Sequence, residues 1–157
     1  MTRRRNGGVE RASPLATIAF ASVVCTLAAA DETASQTTSV TAGVFTQAQA
    51  QRGRTAYTGP CSNCHGRKLD GAPDDPDMPP APPVAGAKFL RDWQGRSLAV
   101  LLEYTRATMP ENNPGFLTDQ EFVDIIAYML LVGGAPPGEG ELPVDLQSLG
   151  RYMIDQR

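Results

Sequence analysis

The chain has 157 residues, with 14 Lys and Arg against 17 Asp and Glu and a formal charge of −3 at pH 7. A chain of this length closes one small hydrophobic core, and its acidic balance argues against nucleic acid or an anionic membrane surface as a partner. Three cysteines and a single histidine are its scarcest chemistry-bearing residues.

The N-terminus has the layout of an export signal. Arg3, Arg4, Arg5 and Arg11 form a basic start, residues 12–30 are uncharged and largely apolar, and Ala28, Ala29 and Ala30 offer small residues for cleavage. Residues 1–30 are therefore read as a signal peptide, with cleavage after Ala30 and a periplasmic destination. The apolar stretch approaches the length of a marginal membrane span, so an uncleaved anchor is the alternative. Cys25 leaves with the signal, since Val24 stands where a lipoprotein signal places a small residue. Cleavage leaves ten basic and sixteen acidic side chains, a charge of about −6, and no membrane span.

Residues 31–44, rich in Thr, Ser and Ala, read as a flexible linker. Thr46 then suits a helix N-cap, with Phe45 placed to pack back as a hydrophobic staple. The helix is expected to run to about Thr58, with Gly53, Ala56 and Tyr57 on one face and Tyr57 as core packing, before Gly59-Pro60 stops it.

Cys61-Ser62-Asn63-Cys64-His65 follows at once. C-x-x-C-H is the spacing of covalent haem attachment: two thiols three positions apart can each add to a haem vinyl group, and the next histidine can reach the iron. His65 is the chain's only histidine. A thioredoxin-like dithiol is expected beside a βαβ pattern, which is missing from the flanking sequence. A zinc site usually needs a second Cys/His pair. A plain disulfide would leave His65 unexplained.

Residues 70–87 cannot form a regular element, because Asp70-Gly71 signals a turn and six prolines follow between Pro73 and Pro83. Asp74, Asp75 and Asp77 lack the spacing of a calcium loop and read as a solvated acidic loop. Ser97 caps a second helix, in which Leu98, Leu101, Leu102 and Thr105 recur at helical spacing. After a loop holding Met109-Pro110 and Pro114-Gly115, Thr118 to Glu121 form a capping box. Phe122, Ile125, Ile126, Met129 and Leu130 carry the apolar face of the third helix, which ends at Gly133-Gly134. Residues 135–157 are expected to be an extended tail, with a weak amphipathic turn near 146–154, lying on the domain or on a partner. No strand is expected.

A low-spin haem takes a sixth ligand, usually a methionine in a cytochrome c. Met109 is favoured, since Pro110 biases it to an extended backbone that can present the thioether inward. Met78 is the alternative; Met129 reads as core and Met153 lies in the tail.

With these residues in view, the chain resembles the class I c-type cytochromes over roughly residues 44–133. The resemblance rests on Cys61 to Gly66, on Pro82-Pro83-Val84-Ala85-Gly86, on Thr108-Met109-Pro110 and on Leu117 to Tyr128. It implies an all-α, small cytochrome c fold of three to five helices around one covalently bound haem c, with a cytochrome domain at 45–134. Cys61 and Cys64 would hold the haem, and His65 and Met109 would ligate its iron. The backbone carbonyl of Pro82 or Pro83 would accept the His65 N–H. Gly53 and Tyr128 would mark the crossing of the first and last helices, and Trp93 and Arg96 would lie near the propionates. The stretch from Phe89 through Met109 is similar to monohaem cytochromes that accompany quinoprotein dehydrogenases. That similarity implies a carrier rather than an enzyme, taking electrons from a dehydrogenase toward an oxidase or another cytochrome. The alternatives are a haem subunit bound permanently to a dehydrogenase, for which the long tail speaks, and a haem enzyme or sensor with an open sixth position.

Overall fold

The computed structural model describes residues 36–79 and 81–155. The expected signal peptide at 1–30 and the first part of the expected linker, 31–35, lie outside the described residues.

The helices start where side-chain caps place them. Helix α1 (Gln47–Tyr57) follows Thr46, whose hydroxyl accepts the Gln49 N–H at 3.0 Å. That bond satisfies one of the donors left free at a helix start. Helix α2 (Ser62–His65) is the single turn that carries the C-x-x-C-H motif. Helix α3 (Gly86–Trp93) was not legible in the sequence pattern; its Phe89 and Trp93 rings sit one turn apart, with centroids 6.1 Å apart. Helix α4 (Leu98–Thr108) is capped by Ser97. Helix α5 (Asp119–Val132) opens on a reciprocal Thr118/Glu121 capping box and buries eight residues, Phe122, Ile126 and Leu130 among them. Helix α6 (Leu146–Leu149) is a single turn capped by Asp145. The all-α reading holds. The described residues contain six α-helices, more than the three to five expected, because single turns at the motif and in the tail add to the four of eight residues or longer, and a 3-10 turn at Val40–Ala42 besides; none is long and apolar enough to cross a membrane.

Helices α1 and α5 cross at Gly53. A Cβ there would overlap the Asp124 carbonyl, so only glycine permits the approach. Tyr57 and Tyr128 meet edge to face just beyond, at 5.7 Å between centroids.

Two expectations are corrected here. Within the expected linker, residues 36–44 are packed: Val40 and Val44 join the core, and Thr38–Ser39 (β1) pairs in parallel with Tyr152–Met153 (β2). The tail lies on the domain, one of the two placements expected, but it is more than an extended surface segment, since Leu142, Leu149 and Ile154 are buried in the same core. Gln49, itself fully buried, donates to the Leu142 carbonyl at 3.1 Å and accepts the Leu142 N–H at 2.8 Å. Arg52 bridges Asp124 at 2.8 Å and Glu141 at 2.7 Å. The boundaries of the globular core are therefore wider than 45–134. A short segment with two valines has too little local pattern to announce itself, and its order comes from a pairing more than a hundred residues away.

Candidate functional site

A cavity of about 780 Å³ is lined by residues from the motif turn, the proline loop, α3, α4, the loop after α4, and α5. Its size falls within the roughly 300–1,000 Å³ typical of cofactor sites. Cys61, Cys64, His65 and Met109 all line it.

The motif forms one tight turn, in which the His65 N–H donates to the Cys61 carbonyl at 2.9 Å and the Cys64 N–H to the same oxygen at 3.2 Å. Residues three and four apart on a helical turn share a face, so this spacing gathers the two thiols and the imidazole. The two cysteines of the motif are not joined in a disulfide. Burial, followed by the neighbouring Cys64, pushes the Cys61 thiol up to about 11, which keeps it protonated at neutral pH.

The loop after the motif returns a carbonyl to His65. The Gly71 N–H donates to the His65 carbonyl at 2.9 Å, and the Val84 N–H donates to the Leu69 carbonyl at the same distance. Gly71, at φ +80°, has no Cβ to overlap the Ala81 carbonyl, so the returning strand of the loop can lie against it. Pro82 O then lies 2.8 Å from His65 Nδ1. A carbonyl only accepts, so Nδ1 carries the proton and Nε2 keeps the lone pair a metal needs. Of the two carbonyls expected for this contact, that of Pro82 makes it.

Met109 caps the end of α4 with an extended backbone, φ −123° and ψ 149°, as the following proline requires. Met129 is buried on α5 and also lines the cavity. Met78, in the proline loop, and Met153, in β2, are not among the lining residues. Trp93 lines the cavity, while Arg96 stacks over its ring at 5.2 Å and is not itself in the lining. Asp74, Asp75 and Asp77 are exposed in the proline loop.

The donor set suits a haem. A proton-fixed imidazole, two thiols on one turn and a thioether converge on an apolar recess walled by Val84, Phe89, Leu101 and Ile125. One contact escaped the sequence reading. Tyr57, expected as plain core, donates its hydroxyl to the Gly66 carbonyl at 2.8 Å, and burial raises its phenol above the ordinary value. The only signal for it in the sequence is a tyrosine one helical turn before Cys61.

Residues 48–129, more than half of the chain, match the family described as cytochrome c oxidase, cbb3-type, subunit III. Over 77 residues the chain is 32% identical to the thiosulfate dehydrogenase of Psychrobacter arcticus, a match covering 48% of this chain and 24% of that protein. No solved structure matches the chain.

Proposed function

The chain belongs to this cytochrome c family and is a class I c-type cytochrome, an electron-transfer haem protein, and we propose that it is a periplasmic carrier moving one electron at a time on a single covalently attached haem c. The observation that carries this reading is the convergence of Cys61, Cys64, His65 and Met109 on one cavity. Bound there, the haem iron supplies reversible one-electron chemistry between ferric and ferrous states. Cys61 and Cys64 would hold the group through thioether bonds. His65 would offer Nε2 to the iron while Pro82 orients the ring, and Met109 would offer its thioether, a ligand type that favours the ferrous state.

The donor on this reading is a dehydrogenase and the acceptor an oxidase or another cytochrome. The similarity to part of a thiosulfate dehydrogenase associates a domain of this kind with dehydrogenase electron flow. The exposed carboxylates of Asp74, Asp75 and Asp77 would steer a basic partner into a short-lived encounter. A permanently bound subunit is the weaker alternative, because the tail that spoke for it is used within the chain's own core.

Two measurements test the assignment. Haem should stay with the denatured protein through acid–acetone extraction, and a Cys61→Ala, Cys64→Ala double variant should lose covalent haem altogether. Free extraction from the wild type would refute thioether attachment. Oxidised wild type should also show the near-infrared sulfur-to-iron band of methionine ligation. Met109→Ala should abolish it and let carbon monoxide bind the ferrous form, while Met78→Ala should leave both properties unchanged. The opposite pattern would move the ligand to Met78.

A further inference from the structure

We propose that the Tyr57 hydroxyl is a positioning group that sets the strength of the His65–Pro82 hydrogen bond and thereby tunes the reduction potential of the haem. The inference rests on the reading of the cavity as a haem site.

The argument starts from how His65 is surrounded. Its own carbonyl accepts the Gly71 N–H at 2.9 Å, and its Nδ1–H donates to Pro82 O at 2.8 Å. The segment from His65 to Pro82 is thus closed on itself through the His65 imidazole, and it begins and ends on the proposed iron ligand. The segment leaves His65 through Gly66, at φ +74°. The Gly66 carbonyl is held twice: by the Leu69 N–H within the segment at 3.2 Å, and by the Tyr57 hydroxyl at 2.8 Å.

Tyr57 belongs to α1, outside the segment. Its ring is buried, 2% exposed, and seated edge to face on Tyr128 of α5. One hydroxyl therefore ties the loop that aims Pro82 to the most tightly packed helix pair of the fold. Burial raises the phenol above its ordinary value, so it is a donor at neutral pH.

The consequence follows from ligand chemistry. A short bond from Nδ1–H to a carbonyl makes the imidazole a stronger donor, which favours ferric iron. Releasing Gly66 lets the segment relax, lengthens the contact from His65 to Pro82 and favours ferrous iron. Tyr57→Phe removes only the hydroxyl. It keeps the ring on Tyr128 and leaves Gly66 O its second donor, Leu69.

The test uses the haem-loaded protein with two readouts: proton exchange of His65 Nδ1–H by NMR in the ferrous state, and the midpoint potential. Tyr57→Phe should speed the exchange roughly fivefold, about the factor of one ordinary hydrogen bond, and shift the potential positive with the Met109 band intact. Leu142→Ala, which weakens the core outside the cavity lining, should leave both readouts at wild-type values. Wild-type exchange and potential in Tyr57→Phe would overturn the proposal, as would equal shifts in Leu142→Ala. If Tyr57→Phe yields no holoprotein, Tyr128→Leu loosens the seat of Tyr57 while keeping its hydroxyl; it should move both readouts in the same direction, and wild-type values there would overturn the proposal. A wild-type chain carrying no covalent haem would instead defeat the haem reading itself, before Tyr57 is at issue.

Discussion

The loop from Gly66 to Ala85 and the tail from Ala135 to Asp155 are each roughly twenty residues long, rich in proline or glycine, and contain no helix longer than one turn. They are held by different means. The tail places Leu142, Leu149 and Ile154 in the core and adds the paired bonds of Gln49 and the bridge of Arg52. The loop buries one large apolar side chain, Leu69, and otherwise depends on backbone hydrogen bonds, two tight glycines and the contact of Pro82 with His65. Side-chain burial of the first kind persists without help. Backbone bonds partly open to water are individually worth little, so the loop should draw its order from what fills the cavity. The tail completes a core, and the loop completes a site.

The largest expected effect separates the two directly. In the Cys61→Ala, Cys64→Ala double variant, which should hold no covalent haem, amide exchange across residues 66–85 should accelerate by roughly a hundredfold or more while the amides of Leu142 and Leu149 keep most of their protection. Mass-spectrometric exchange of intact and haem-free protein reads both regions at once. Equal loosening of loop and tail would mean that the haem organises the whole chain, and the contrast would dissolve.

Gly71 offers the next break, on the loop side. Gly71→Ala places a methyl against the Ala81 carbonyl at a backbone angle that side chains rarely adopt. It should displace Pro82 from His65 and cost about 1–3 kcal/mol. The His65 Nδ1–H signal should shift or vanish while the tail stays protected. On the tail side, Leu142→Ala should cost about 2–5 kcal/mol in denaturant unfolding, the range for truncating a buried leucine, with the Met109 band unmoved. A change in that band would show that the tail reaches the site after all.

These contrasts also separate what the sequence carries from what only the fold reveals. Thr46, Ser97, Thr118 and Glu121 declare helix starts because capping is a local interaction between a side chain and the next turn. The motif declares its cavity wall because its chemistry is compressed into five residues. Pro110 declares the extended backbone of Met109 for the same local reason. Helix α3 was missed because it begins at a glycine next to the proline loop and has no side-chain cap. Residues 36–44 were read as a linker because their partners, Tyr152 and Met153, lie at the other end of the chain. Nothing in the local pattern singles out Gln49, yet it is wholly buried and bonded to a tail segment 93 residues away. Tyr57 was assigned to the core, which is where it lies, but no spacing rule shows where its hydroxyl points.

The smallest expected effect concerns acid. Glu141 accepts from Arg52 at 2.7 and 2.9 Å and from Thr46 at 3.3 Å. These contacts, those of Arg52 first, hold its carboxyl below the ordinary 4.5. A carboxylate whose folded value is depressed contributes its full stability above the unfolded value and loses it as pH falls through the folded one. The Glu141 share should therefore be intact at neutral pH and fade from about pH 4.5 downward. Because the group is largely solvent-facing, the share is small and screened by salt. Glu141→Gln should flatten the fall of stability with acid slightly, and high salt should narrow the difference between the two proteins. Glu121 and Asp145, held low by their own cap bonds, remain in the variant and keep most of the slope. The Met109 band should follow the same acid course in both proteins, since the tail contact made by Glu141 lies outside the cavity lining. A band that titrates differently in Glu141→Gln would tie Arg52, through Asp124 on α5 and its neighbour Ile125 in the cavity wall, to the proposed ligand, and the tail and the site would then be one mechanical unit.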